Sequence, residues 1–455
     1  MKRHTSPLTT VLPQAFSRRK FLYISAGSTV ALVTGCGGGE GVGSGEEGEG
    51  VGGFSGEKYS GPALTLAYWN GFTGGDGPAM QALVKDFQGA HDNVTIENNT
   101  VEWPTFYAKL PAAVQAGKGP DVGCMHLDQL PTNAARNVIV PVDDVAEALG
   151  LTEDDFASVI WEPGIYDGKR YGIPLDVHSL AMYFNQDHFD DAGISEPPTD
   201  AASLEEALAK LQESGIDQPF WMPNLWPAHI MFLSLLWQFG GEPYGEDGSE
   251  ATFGSEAGVS ALTWMREQVE KGYSPDNVDA DAQYIAYKNG ENSITWDGIW
   301  QINDLQSTAQ ETNLNWGIAP IPTIGDQPAV WGASHQFFVT SQAAEEEDRA
   351  NAAKTFIGWM SDQSGTWADA GMIPARNSAR EDPAFTDSPQ YALKDQIENL
   401  RFLPAVPGLP GVTPETIEIA VNSVMLGRES PEDALAAAQD DANELLEQAR
   451  EQFGL

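Results

Sequence analysis

Leu64-Thr65-Leu66-Ala67-Tyr68-Trp69 is a β-prone apolar run. A glycine-rich turn, Asn70-Gly71-Phe72-Thr73-Gly74-Gly75-Asp76-Gly77, follows it directly, and behind Pro78 the residues Met80, Leu83, Val84 and Phe87 recur at helical spacing. Strand, loop and helix in that order form half of a βαβ unit. The alternation continues with a helix around Phe106 to Gln115, a buried strand from Asp121 to Met125 and a helix from Gln129. This rhythm predicts an α/β fold of parallel strands with crossover helices, in which ligands sit at the strands' carboxyl ends. Further on, Ser203-Leu204-Glu205-Glu206 reads as a capping box opening a helix with Leu204, Leu208 and Leu211 on one face, stopped by Gly215. A second helix is predicted over Ser255 to Lys271, and a last one from Ser430-Pro431-Glu432-Asp433 to about Phe453. No internal repeat interrupts the pattern.

Upstream of Leu64 the composition changes. Gly37 to Gly61 is mostly Gly, Glu and Ser, too polar to bury a core, and reads as a flexible tether with a span of roughly 25 to 30 Å. Before it, Ser17-Arg18-Arg19-Lys20-Phe21-Leu22 opens an apolar run that ends in Val33-Thr34-Gly35-Cys36. The run is broken by Ser25, Gly27, Ser28 and Thr29 and falls short of the about 20 apolar residues needed to span a bilayer. It reads as a twin-arginine export signal joined to a lipobox, with Cys36 as the lipidated first residue of the mature chain. The other cysteine, Cys124, is alone in an apolar run, so no disulfide or cysteine metal site is expected.

The chain carries 66 acidic and 24 basic residues, a formal charge of -42. Such a balance argues against nucleic acid and anionic membrane surfaces as partners. It leaves a cationic ligand or a surface adapted to high salt, and the even spread of the acids over the chain points to salt and a halophilic source.

Candidate binding residues fall in loops. The turn after the first strand offers Trp69, Asn70, Phe72 and Asp76, with glycines that admit a close ligand, but it lacks the lysine and serine of a phosphate loop. Trp221 and Trp226, then Trp296-Asp297-Gly298-Ile299-Trp300, then Trp331-Gly332-Ala333-Ser334-His335 set indoles beside polar groups. Pyranose rings have apolar faces that stack on indoles and hydroxyls that pair with carboxylates, amides and imidazoles, so this composition suits a sugar cleft. His126-Leu127-Asp128 and Asp176-Val177-His178 each put a His and an Asp two apart, on one face of a strand. Converging, they can make a two-His, two-carboxylate metal site. Neither has a recognised metal spacing and sugar hydrogen bonding explains both, so no metal or cofactor is expected. There is no Gly-x-Ser-x-Gly elbow and no His-Glu-x-x-His. A glycoside hydrolase stays open only because so many carboxylates always supply some pair. Asn93-Val94-Thr95 and Asn98-Asn99-Thr100 are glycosylation sequons.

Leu64 to Gly77, Gly119-Pro120-Asp121-Val122, Tyr171-Gly172-Ile173-Pro174-Leu175, Tyr183-Phe184-Asn185-Gln186-Asp187, Trp296 to Trp300 and Ile373-Pro374-Ala375-Arg376 together resemble the ordered landmarks of family 1 extracellular solute-binding proteins. These include the maltose- and glycerol-3-phosphate-binding components of ABC importers, and the resemblance covers nearly all of 63–453; with the acidic composition, a halophilic archaeal source is expected. It implies a two-lobed periplasmic-binding-protein-like fold (type II) with three crossing segments, near 176–180, 330–332 and 376–380. Residues 62–176 with 332–376 would form the N-terminal lobe, and 177–331 with 377–455 the C-terminal lobe. By the same resemblance Trp69 to Asp76 and His126 to Asp128 face the cleft from the first lobe, Trp226 and Trp300 from the second, and Trp331 and His335 sit at a crossing. Arg376 can fork onto sugar hydroxyls or an anion. Where maltose-type members carry a late aromatic, this chain has Thr416, Ile417 and Ile419, which speaks against maltodextrin.

The function implied is a non-enzymatic, monomeric sugar receptor, lipid-anchored outside the cytoplasmic membrane, which delivers its ligand to ABC permease subunits and their ATPase. Alternatives are a glycerol-3-phosphate or phosphodiester receptor, a polyamine receptor, an anchored glycoside hydrolase, and a surface adhesin without a small ligand.

Overall fold

The computed structural model describes Gly56 and residues 58–455. The arginine pair, Cys36 and most of the tether lie outside the described residues. Among those described, fourteen strands occur: β1 (Leu64–Asn70), β2 (Val94–Thr100), β3 (Val122–His126), β4 (Ile139–Val140), β5 (Ile165–Tyr166), β6 (Lys169–Arg170), β7 (Ile173–Pro174), β8 (Asp176–Asn185), β9 (Ile294–Gly298), β10 (Trp316–Ala319), β11 (Val330–Ala333), β12 (His335–Thr340), β13 (Ile373–Pro374) and β14 (Leu400–Arg401).

The first sheet has the order β2-β1-β3-β12-β4, with β7 also against β12. As the alternation predicts, β1 is parallel to both β2 and β3, and helices Gly77–Ala90 and Trp103–Gln115 make the crossovers. A late strand, β12, inserts antiparallel beside β3. Tyr68 and Phe337 of this sheet pack on Phe356 of helix Glu347–Asp362, with ring centroids 5.0 and 6.3 Å away.

The second sheet departs from the predicted parallel pattern. Its centre is β8, ten residues all buried, and β9, β10, β11 and β13 all run antiparallel to it. Ile294 lies opposite Phe184, so the long segment between β8 and β9 leaves and re-enters at the same end of the sheet. Only β14 runs parallel, to β11. Behind the sheet, helix Ala228–Gln238 is buried at every position except His229, the all-round apolar pattern of a core helix.

The chain passes between the sheets at Leu175, between β7 and β8, and at Ser334, between β11 and β12. The two passages touch, since Leu175 N donates to His335 O at 2.9 Å. A third comes where β13, following the helix that backs the first sheet, pairs Pro374 with Asp176.

Caps follow the sequence with one correction. Ser255 and Ser430 cap helices Glu256–Glu270 and Pro431–Phe453. Helix Ala201–Glu213 starts earlier than the Ser203 box predicts, because Asp200 takes the cap: its carboxylate accepts from Ser203 N at 2.8 Å, and Ser203 Oγ accepts from Asp200 N at 3.0 Å. Both sequon side chains are used internally. Asn93 donates to the carbonyls of Tyr59 and Gly61, and Asn98 Oδ1 accepts from Asn70 Nδ2 at 2.7 Å.

Candidate functional site: a histidine trio beside a tryptophan wall

Three imidazoles meet where the sheets join. His126 ends β3, His335 opens β12 directly opposite it, and His178 lies in β8 opposite Ala333 of β11. Ring centroids are 4.3 Å apart for His178 and His335, 4.7 Å for His126 and His335, and 5.4 Å for His126 and His178. The position at a parallel strand's carboxyl end, where the chain switches sheets, is where α/β folds put ligands.

Asp176 holds two of the three rings, His178 and His335. It is fully buried, and Oδ1 accepts from His178 Nδ1 at 3.1 Å and from His335 N at 3.0 Å. Oδ2 accepts from His335 Nδ1 at 2.8 Å and from Trp367 Nε1 at 2.7 Å. An ionised carboxylate only accepts, so both rings present their Nδ1–H to it. Burial pushes the Asp176 pKa up, but the field of His335 and the hydrogen bonds from both rings outweigh it and hold the group well below the usual carboxylate range. Burial lowers His178 to about 4 and, with the neighbouring His335 and His178, takes His126 well below its ordinary value. Both rings are therefore neutral at pH 7. His126 has its own partner, Tyr107 Oη at 2.5 Å from Nδ1.

Beside the trio stands an aromatic wall. Trp226 and Trp300 stack with centroids 6.0 Å apart at 29°, and Trp331 meets Trp300 edge-on at 6.3 Å. His178 lies 5.9 Å from both Trp300 and Trp331. Trp226 is 40% exposed while Trp300 and Trp331 are partly buried, so the wall opens outward at one end. Two glycines make room for the indoles. A Cβ on Gly298 would stand 2.1 Å from the Trp300 ring, and one on Gly71 would stand 2.1 Å from Trp103.

Other residues singled out in the sequence take supporting positions. Phe72 is buried under the site, with its ring 4.8 Å from His335 and 5.1 Å from Trp367. Asn70 is fully buried and braces the turn, its Oδ1 accepting from Phe72 N and Thr100 Oγ1. Trp69 packs edge-on against Phe106. Burial pushes Asp76 up to about 6 against the pull of His335, and Asp76 Oδ1 is buried without a partner. Burial also pushes Asp128 up to about 6, against hydrogen bonds from its own backbone N–H and that of Gln129. The glycine-rich turn meets protein: Gly75 O accepts from Asn303 Nδ2 at 3.1 Å.

Three expected residues do not reach the site. Trp296 is fully buried between Phe220 and Trp264, stacked on the latter at 5.6 Å, because alternate residues of β9 face opposite sides of the sheet and its side is the core. Asp297 is also fully buried, accepting from Gly298 N and Gln283 Nε2. Arg376 is turned toward Ser361 and Asp362 by hydrogen bonds of 2.8 and 3.1 Å.

Sequence reasoning missed three others. Trp103 stacks on His335 at 5.4 Å and 19°, and lies 4.5 Å from His126. Tyr107 holds His126, and Trp367 holds Asp176. Trp103 and Tyr107 are four apart on one helix face, a spacing visible in the sequence. Trp367 sits in a short 3-10 turn and carries no such signal.

Residues 82–393 match the family model described as bacterial extracellular solute-binding protein. An ABC transporter extracellular-binding protein of Pyrococcus horikoshii is 25% identical, the match covering 84% of this chain and 86% of that protein. Among solved structures, the GacH receptor of Streptomyces glaucescens, determined unliganded and with acarbose, superposes with a TM-score of 0.74 at 22% identity over 84% of this chain and 98% of that one. UgpB of Mycobacterium tuberculosis in complex with glycerophosphocholine gives 0.73 at 20% identity over 86% and 99%. The likeness extends over the two-sheet body, and the family match spans well over half of the chain, so this protein belongs to the bacterial extracellular solute-binding proteins.

Proposed function

We propose that this chain is the substrate-binding component of an ABC-type importer and that it captures a sugar between its two sheets. The observation that carries this is the Trp226–Trp300–Trp331 wall beside neutral His126 and His178, which pairs stacking faces with uncharged hydrogen-bonding groups. The acarbose complex of the GacH receptor supports an oligosaccharide-sized ligand. Arg376 is occupied by Asp362, which favours a neutral ligand over a phosphodiester.

The lobes we assign are residues 62–176 with 332–376 and residues 177–331 with 377–455, hinged at Leu175, Ser334 and the β13 crossing. Asn303 on Gly75 and Gly408 N on Thr132 Oγ1, 2.9 Å, bridge these lobes, and closure about the ligand is the switch read by the permease. The receptor binds without turnover. It is exported through its paired arginines and held outside the membrane by lipid on Cys36. Its acids form a surface for high salt.

A thermal-shift panel of mono- and oligosaccharides, glycerophosphodiesters and polyamines, run at high salt with a metal chelator present, tests the ligand class. A sugar should raise the melting temperature. A rise with a phosphodiester or polyamine and with no sugar refutes the assignment.

A further inference from the structure

The histidine trio has the makings of a metal centre. One ring nitrogen from each of His126, His178 and His335 lies within 4.8 Å of the others. Nδ1 is already engaged in every ring, by Asp176 for His178 and His335 and by Tyr107 for His126. This leaves Nε2 of each to ligate. A carboxylate holding the far nitrogen of a metal-bound histidine fixes the tautomer and makes the ligand more basic, and here one carboxylate does so for two rings.

We propose that these three histidines bind a divalent transition-metal ion of the zinc class. With metal–nitrogen bonds of about 2.1 Å in tetrahedral geometry, the nitrogens stand about 3.4 Å apart. Ring nitrogens already within 4.8 Å of one another place the three imidazoles near enough for side-chain adjustment to bring their Nε2 atoms to that spacing. The donor set is all imidazole, which suits zinc, nickel, cobalt or copper and not magnesium or calcium. Three protein ligands leave at least one position open, and the tryptophan wall lies beside it, so the ion can take an oxygen of the captured solute. The ion site stands whether or not that solute is a sugar.

Titration of the chelator-stripped full chain with Co2+ in high salt, with no sugar present, tests the site. The account expects one ion per chain with the visible bands of nitrogen ligation, displaced by Zn2+. His126→Gln, at the partly exposed member, should weaken binding about tenfold or more while leaving the circular dichroism spectrum and melting temperature near wild type. His178→Gln should act in the same direction. Absence of saturable, nitrogen-type Co2+ binding, or binding that His126→Gln leaves unchanged and so belongs to surface carboxylates, overturns the proposal. Neither result bears on the sugar panel, which is run with chelator.

Discussion

Asp176 Oδ2 stands 2.8 Å from His335 Nδ1, and the two residues open strands of different sheets, β8 and β12. The same carboxylate also takes His178 and Trp367, so every hydrogen bond it can usefully accept is made inside the protein. Asp176→Asn keeps the shape but turns an amide donor toward groups that themselves donate. We expect a loss of roughly 2–4 kcal/mol in urea unfolding, together with weaker ligand binding. Unchanged stability would show that the carboxylate is not the brace described.

Two tryptophans separate packing from recognition. Trp296 is fully buried and Trp226 is 40% exposed. Trp296→Ala should cost roughly 3–5 kcal/mol, the usual range for emptying an aromatic site in a core. Trp226→Ala should change stability by less than about 1 kcal/mol yet weaken ligand binding about tenfold, the equivalent of one lost stacking contact. Calorimetric melting and a binding isotherm on both variants check the pair, and a reversed pattern would move the binding face elsewhere.

The first sheet was legible because β1, its helix and β3 are local in sequence and follow simple periodicities. The second was not, since antiparallel pairing onto β8 is set by where long segments re-enter the sheet. At the site, each histidine was visible, but their convergence depends on β3 and β12 pairing His126 with His335 across a long stretch of chain. Trp296 and Trp300 could not be told apart by composition. β9 faces the first to the core, and the short turn after Gly298 swings the second out.

Burial pushes Asp297 up to about 7, against hydrogen bonds from Gly298, Gln301 and Gln283. In the unfolded chain an aspartate loses its proton near about 4. Between those values the folded state binds more protons than the unfolded, so this group's contribution to stability falls as pH rises through the window. Asp297→Asn removes the effect, and the unpartnered Gln283 Oε1 can turn to accept from the new amide. The variant should melt above wild type at and beyond neutral pH, with the gap closing toward about pH 4. Parallel melting curves at all pH values would contradict a raised Asp297.

Cys36→Ser should release the exported protein into the medium, and Arg18→Lys with Arg19→Lys should abolish its appearance at the surface. Fractionation of cells expressing each variant checks both. Normal surface retention of either would remove the corresponding element from the account.

The central claim is that a sugar binds against the Trp226–Trp300–Trp331 wall. Isothermal titration of the sugar giving the largest thermal shift, run on wild type and Trp300→Ala side by side, tests it most directly. The account predicts saturable binding of one sugar per chain in the wild type and a loss of about tenfold or more in the variant. Wild-type binding that survives Trp300→Ala undiminished, or no saturable sugar binding at all, would contradict it.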